Sequence, residues 1–225
     1  HDIVRVKEEG LERALVYDPW RRALLRDHFF QARPTARGIV EGTLKDHGDF
    51  ADRPYEIRHS RSDRSTSIVL QRSGHVGRRP VALRKTIRIT DGSPTLHVDY
   101  ALRALDGHPL RGRFAVEMAY TLSAGTEPDR YYEVDGVRTK ENGGKLNGSG
   151  ESTGTSIALV DEWLGARIVL TFSGAPTIVR APIETVSLSE NGFERNYQGS
   201  VVMPYWDLEG IEWGVSFEQK IERIR

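Results

Sequence analysis

The chain has 225 residues, 32 Lys+Arg against 32 Asp+Glu, and no cysteine. Zero net charge gives no footprint for nucleic acid or an anionic membrane surface, and no apolar run approaches the roughly 20 residues that span a bilayer. The lack of cysteine excludes disulfides, thiolate metal ligands and cysteine nucleophiles, and the length suffices for one large all-β domain without staples.

The chain opens at His1, with no initiator Met and no signal peptide. The expectation is a processed product or a piece of something longer, in the cytoplasm rather than outside the cell. In "YDPWRRALLRDHFF" Asp18 is placed as an N-cap, Pro19 at a first helical position, and Trp20, Leu24 and His28 at helical spacing. This segment reads as either a short helix or an irregular strand. Next, "KDHGDFADRPY" carries Asp46, His47, Asp49 and Asp52. It lacks the Gly and terminal Glu of an EF-hand, so it reads as a solvated turn, with a weak oxygen-ligand calcium site as the alternative. The basic run "EIRHSRSDRS" has interspersed acids and reads as a wet strand and loop.

From residue 81 onward the apolar period is two, not 3.6. In "VALRKTIRIT" Val81, Leu83, Ile87 and Ile89 share one face, with Arg84, Thr86, Arg88 and Thr90 on the other. In "TLHVDYALRA" Leu96, Val98, Tyr100 and Leu102 oppose Thr95, His97, Asp99 and Arg103. In "RFAVEMAYTL" the bulky face is Phe114, Val116, Met118, Tyr120 and Leu122, and Glu117 lies on the opposite face between Ala115 and Ala119. The last strand sets Trp213, Val215, Phe217 and Ile221 against Ser216, Glu218, Lys220 and Glu222. Each pattern is a half-buried strand with one wet face. Asp-Gly or Ser-Gly turns punctuate the runs at 90–94, 105–109, 134–137 and 172–176. Ten or more antiparallel strands in one all-β sandwich, with at most one or two short helices, is the expected fold. The Gly/Ser-rich stretch 141–154 reads as a flexible excursion or a ligand-facing loop; it has no P-loop pattern.

No HExxH, GxSxG or helical His pair occurs, so zinc and serine-nucleophile chemistry have no motif to stand on. Carboxylates remain. Glu117 and Glu184 sit on strands among small or apolar neighbours, where each pairs with an Arg, contacts a ligand, or acts as an acid/base. Sugar rings lie flat on Trp and Tyr, which makes Trp163, in a turn between strands, and Trp206, at a strand end after Pro204, the better platforms; Tyr131 and Tyr132 join them. "IETVSLSENGFERNYQGS" reads as a hairpin with Asn191-Gly192 in the turn, Glu190 on that turn and Glu194 on the second strand.

Four blocks in chain order resemble the C-terminal β-sandwich domain of glycoside hydrolase family 57, the family of α-amylase-like enzymes and 4-α-glucanotransferases. They are Tyr17-Asp18, Arg21-Arg22 and Asp27-His28-Phe29; Gly48-Asp49-Phe50 with Pro54-Tyr55; "FAVEMAYTLSAG" with Glu117; and Pro182, Glu184-Thr185-Val186-Ser187, Ser189-Glu190, Gly192-Phe193-Glu194 and Gln198-Gly199-Ser200. The resemblance spans residue 11 to the end. It implies a galactose-mutarotase-like supersandwich over residues 1–225 as one C-terminal accessory domain. It also implies that catalysis belongs to a separate N-terminal barrel, so no catalytic residue is carried over and none is expected in this chain. The expected function is a non-catalytic module that supports that barrel and holds α-glucan or an oligosaccharide, with Trp163, Trp206, Tyr131, Tyr132, Glu117, Glu184 and Glu194 as contacts. No cofactor is expected beyond the weak calcium alternative, and no nucleic-acid or membrane partner. A free-standing mutarotase or epimerase using Glu117 or Glu184 as base, with His97 as the histidine that would have to meet Glu117, and a purely structural interaction domain are the alternatives.

Overall fold

In a computed structural model of the chain, residues 11, 15–189 and 192–224 are described. Among them are fourteen strands: β1 (Arg26–Phe30), β2 (Glu56–Arg61), β3 (Ser65–Val76), β4 (Arg79–Thr90), β5 (Thr95–Ala104), β6 (Arg113–Tyr120), β7 (Arg130–Val134), β8 (Val137–Arg138), β9 (Gly150–Thr153), β10 (Ser156–Asp161), β11 (Ala166–Phe172), β12 (Thr177–Ser189), β13 (Gly192–Asp207) and β14 (Glu212–Arg223). One α-helix, α1 (Ala36–Val40), follows β1. All pairings are antiparallel. The strands form a five-stranded sheet ordered β1-β6-β13-β12-β9 and a nine-stranded sheet ordered β2-β3-β4-β5-β14-β11-β10-β7-β8. Among the described residues no helix is long and apolar enough to cross a membrane.

The alternation of apolar side chains decides which faces meet. Val81, Leu83, Val98, Tyr100, Leu102, Val215 and Phe217 from the large sheet pack on Phe114, Val116, Met118, Ile178 and Val202 from the small one. The other face of the small sheet is also apolar and is covered: Phe30, Ala115, Val179, Ala181, Val201 and Met203 meet Trp20 of the N-terminal segment and Ala36 and Ile39 of α1. The large sheet keeps an open polar face, carrying Arg84, Arg88, His97, Asp99 and Glu218. Both faces of a small sheet must be sealed when both are apolar, whereas a sheet with one polar face needs a single partner.

Asp135-Gly136 takes positive φ at both positions (48° and 75°), joining β7 to β8 as the Asp-Gly pattern demands. The stretch 141–154 departs from a flexible excursion: a 3-10 turn spans Glu141–Gly144, Leu146 is wholly buried, and β9 pairs with β12. The helical reading of 17–30 is corrected as well. Its second half is β1, its first half is irregular, and the one helix begins later, where Thr35 Oγ1 accepts from the Gly38 N–H at 3.0 Å. Trp20 and His28 are both buried there, so their shared spacing marked two inward contacts of an extended segment. β12 and β13 pair as a hairpin with Ser187 opposite Glu194, but Gly192, expected in the turn with Asn191, instead opens β13 opposite Ser189; Glu190 and Asn191 lie outside the described residues.

Candidate functional site

Glu117 projects from β6 toward the covering N-terminal segment and is fully buried. Trp20 Nε1 donates to its Oε2 at 2.7 Å and Arg22 Nη1 donates to the same oxygen at 2.8 Å. His28 Nε2 lies 3.8 Å away, and His28 Nδ1 is 2.7 Å from Asp46 Oδ2. Burial opposes the charge on Arg22, but Asp18, at 2.6 Å, and Glu117 outweigh it and hold the guanidinium above its ordinary range. The Glu117 pairing is thus with an Arg, as one of the readings had it, but from the covering segment rather than a neighbouring strand. The arrangement seals a carboxylate beneath an indole, out of reach of any bound sugar.

The other predicted contacts scatter. Glu184 lies in β12 at the wall of a cleft of about 190 Å³ shared with Arg22 and Glu41, and accepts from Arg195 Nη1 at 3.3 Å. Glu194 is in β13 opposite Ser187, beyond that cleft's lining. Tyr132 is buried, its hydroxyl donating to the Leu146 carbonyl at 3.2 Å beneath Arg180, so it offers no surface. Trp206 packs inside the sandwich end against Phe172 and Trp213. Trp163 is 76% exposed at the tip of the β10–β11 turn, with Arg130 over its ring. Tyr131, nearby on β7, donates to Glu162 Oε1 at 2.9 Å. Of the four aromatic residues only Trp163 is largely exposed; Tyr131 is half-buried, with Arg138 4.2 Å over its ring. Asp46, Asp49 and Asp52 are engaged by His28, Arg72 and Arg26, and among the described residues no group of three or more His, Asp or Glu is arranged to hold a metal.

A larger concavity lies elsewhere, on the open face of the large sheet, as a trough of about 940 Å³. Strand register lays its side chains out in rows. One row runs Glu56, Gln71, Arg84, Ala101, Gly214 across β2, β3, β4, β5 and β14; the next runs Ser73, Ala82, Arg103, Glu212. The alternation Arg84-Thr86-Arg88 marked this face as wet, but a one-dimensional pattern does not say which polar residues from five strands fall side by side. Farther along the face His97 Nδ1 sits 3.0 Å from Glu218 Oε1, and Arg88 Nη2 sits 2.6 Å from Asp99 Oδ2. His97 and Glu117 therefore lie on opposite outer faces of the sandwich and do not meet.

Two antiparallel sheets, one sealed and one with an open polar face, define a galactose-mutarotase-like β-sandwich. A galactose mutarotase-like protein from Clostridium acetobutylicum shares this fold with a TM-score of 0.58 at 9% identity, over 91% of this chain and 78% of that one. The 4-alpha-glucanotransferase of Thermococcus litoralis shares it with a TM-score of 0.72 at 21% identity, over 96% of this chain and 30% of that one. The family model described as "Alpha-amylase/4-alpha-glucanotransferase, C-terminal" matches residues 1–217, and the chain belongs to that family. The sequence is 25% identical over 221 residues to Alpha-amylase 1 of Dictyoglomus thermophilum and 25% identical over 210 residues to the 4-alpha-glucanotransferase of Thermococcus kodakarensis. These alignments cover 95% and 93% of this chain but only 30% and 28% of those proteins. The family resemblance read from the four blocks is thereby confirmed.

Proposed function

We propose that this chain is a non-catalytic accessory module of an α-glucan-active enzyme, supporting a catalytic barrel and holding α-glucan. The family membership supplies the enzyme class. The observation that carries the non-catalytic reading is the state of Glu117: the strand carboxylate best placed by sequence to serve as a base is wholly buried and committed to Trp20 and Arg22. A base must come within hydrogen-bond reach of the proton it takes. Glu184, the second candidate base, is held by Arg195. For glucan contact, the exposed ring of Trp163 is suited to the C–H face of a sugar ring.

Two measurements test this. Affinity electrophoresis in gels containing amylose or glycogen should retard the wild-type chain, and unretarded migration in both would reduce it to a structural domain. A polarimetric mutarotation assay on glucose and galactose should match buffer alone. Turnover that disappears in Glu117→Gln would instead make the chain an enzyme.

A further inference from the structure

We infer that the trough on the open face of the nine-stranded sheet is an oligosaccharide-binding site, separate from the Trp163 edge. This rests on the α-glucan reading above and gives it a second location.

The argument begins with how charges are disposed on this face. Toward one end they neutralise one another, in the Arg88–Asp99 and His97–Glu218 pairs. At the trough they do so only in part. Among the described residues Arg84, Gln71 and Glu56 have no side-chain hydrogen bond or ion pair, and Arg103 stands 3.6 Å from Glu212 with both side chains mostly exposed. Between these groups the sheet surface drops to Ala82, Ala101 and Gly214. A solvated sheet face with no ligand is expected to carry long side chains in cross-strand pairs. Here long polar side chains ring a floor of methyl groups and one bare glycine.

The chemistry selects the occupant. Guanidinium and amide N–H groups donate, and Glu56, Glu212 and the Gln71 oxygen accept. A neutral ligand bearing many hydroxyls, each both donor and acceptor, can satisfy both sets. A phosphate or acidic peptide would meet the two carboxylates, and a polycation would meet Arg84 and Arg103. The small floor lets a flat ring approach the sheet, and the volume falls within the range of small-ligand sites.

Titration calorimetry with maltoheptaose decides it, using wild type, Trp163→Ala, Trp163→Ala/Ala101→Trp and Trp163→Ala/Arg84→Ala, with a thermal melt of each. Removing the aromatic edge isolates the trough. Trp163→Ala should still bind, Ala101→Trp should abolish that residual binding by filling the floor, and Arg84→Ala should weaken it roughly tenfold, as loss of a charged hydrogen-bond donor does. Residual binding left unchanged by both trough substitutions overturns the inference, as does wild-type binding that Trp163→Ala removes entirely; either result leaves the α-glucan reading standing. A wild type that binds no maltoheptaose removes both. Arg84 is exposed, so its variant reports even if Ala101→Trp perturbs folding.

Discussion

Trp20 Nε1 donates to Glu117 Oε2 at 2.7 Å across 97 residues of sequence, closing the covering segment onto the small sheet. Arg22 reaches the same oxygen and also donates to the Ile39 carbonyl at 3.3 Å, so a single carboxylate ties the segment, β6 and α1 together. Glu117→Ala leaves the buried Trp20 indole N–H without its acceptor and the Arg22 guanidinium with Asp18 as its remaining carboxylate. The expected loss is about 1–3 kcal/mol in urea unfolding. A loss below about 1 kcal/mol would mean that the cluster is already hydrated.

Asp27, the preceding neighbour of His28, points the other way, into the space between the sheets. Its carboxylate accepts from Lys85 Nζ at 2.8 Å, Tyr55 OH at 2.6 Å and Tyr100 OH at 2.7 Å. Asp27→Ala should therefore cost more than Lys85→Met. The first leaves a buried ammonium and two phenols short of an acceptor, while the second leaves a carboxylate that still has two donors. Chemical denaturation of the two variants gives the order, and the reverse order would show that Lys85 rather than Asp27 holds the cluster.

Burial, with Asp27 beside them, drives the phenols of Tyr55 and Tyr100 well above their ordinary range, and burial pushes Tyr197 up to about 12. A raised folded-state value stabilises the fold fully below the ordinary phenol value near ~10 and is lost as pH climbs through the raised one. Alkaline titration should show phenolate absorbance from these residues appearing together with the loss of far-UV dichroism. Their smooth titration near ~10 in a protein that stays folded would contradict the buried network.

Gly199 stands where β13 crosses β6 so closely that a Cβ would lie 2.4 Å from the Tyr120 carbonyl oxygen. It also adjoins the bulge that shifts register between Ile183 and Glu184. Gly199→Ala should cost about 2 kcal/mol or more, because backbone has to move. A thermal melt within a degree or two of wild type would show that the strands separate cheaply.

Trp163→Ala, at an exposed turn tip, should leave stability within about 0.5 kcal/mol of wild type. It should nevertheless reduce retardation in amylose gels. Unchanged retardation would take the aromatic edge out of glucan contact.

The strands, their wet and dry faces and the Asp-Gly turns were legible because a period of two and positive-φ turn chemistry are local properties of the chain. Lys85 was a signal in plain view: it interrupts the apolar face of Val81, Leu83, Ile87 and Ile89, and a cation there demands a buried partner. Its partner is Asp27, 58 residues earlier. The sequence by itself determined the fold class and, through its ordered blocks, the family. Only the tertiary structure decided what each polar residue does. It buried Glu117 under Trp20, put Tyr132 and Trp206 inside, left Trp163 in solvent, and gathered Glu56, Gln71, Arg84 and Arg103 into one trough. Periodicity fixes which face of a strand a residue occupies; strand order and register, set by contacts far apart in the chain, fix who stands beside it.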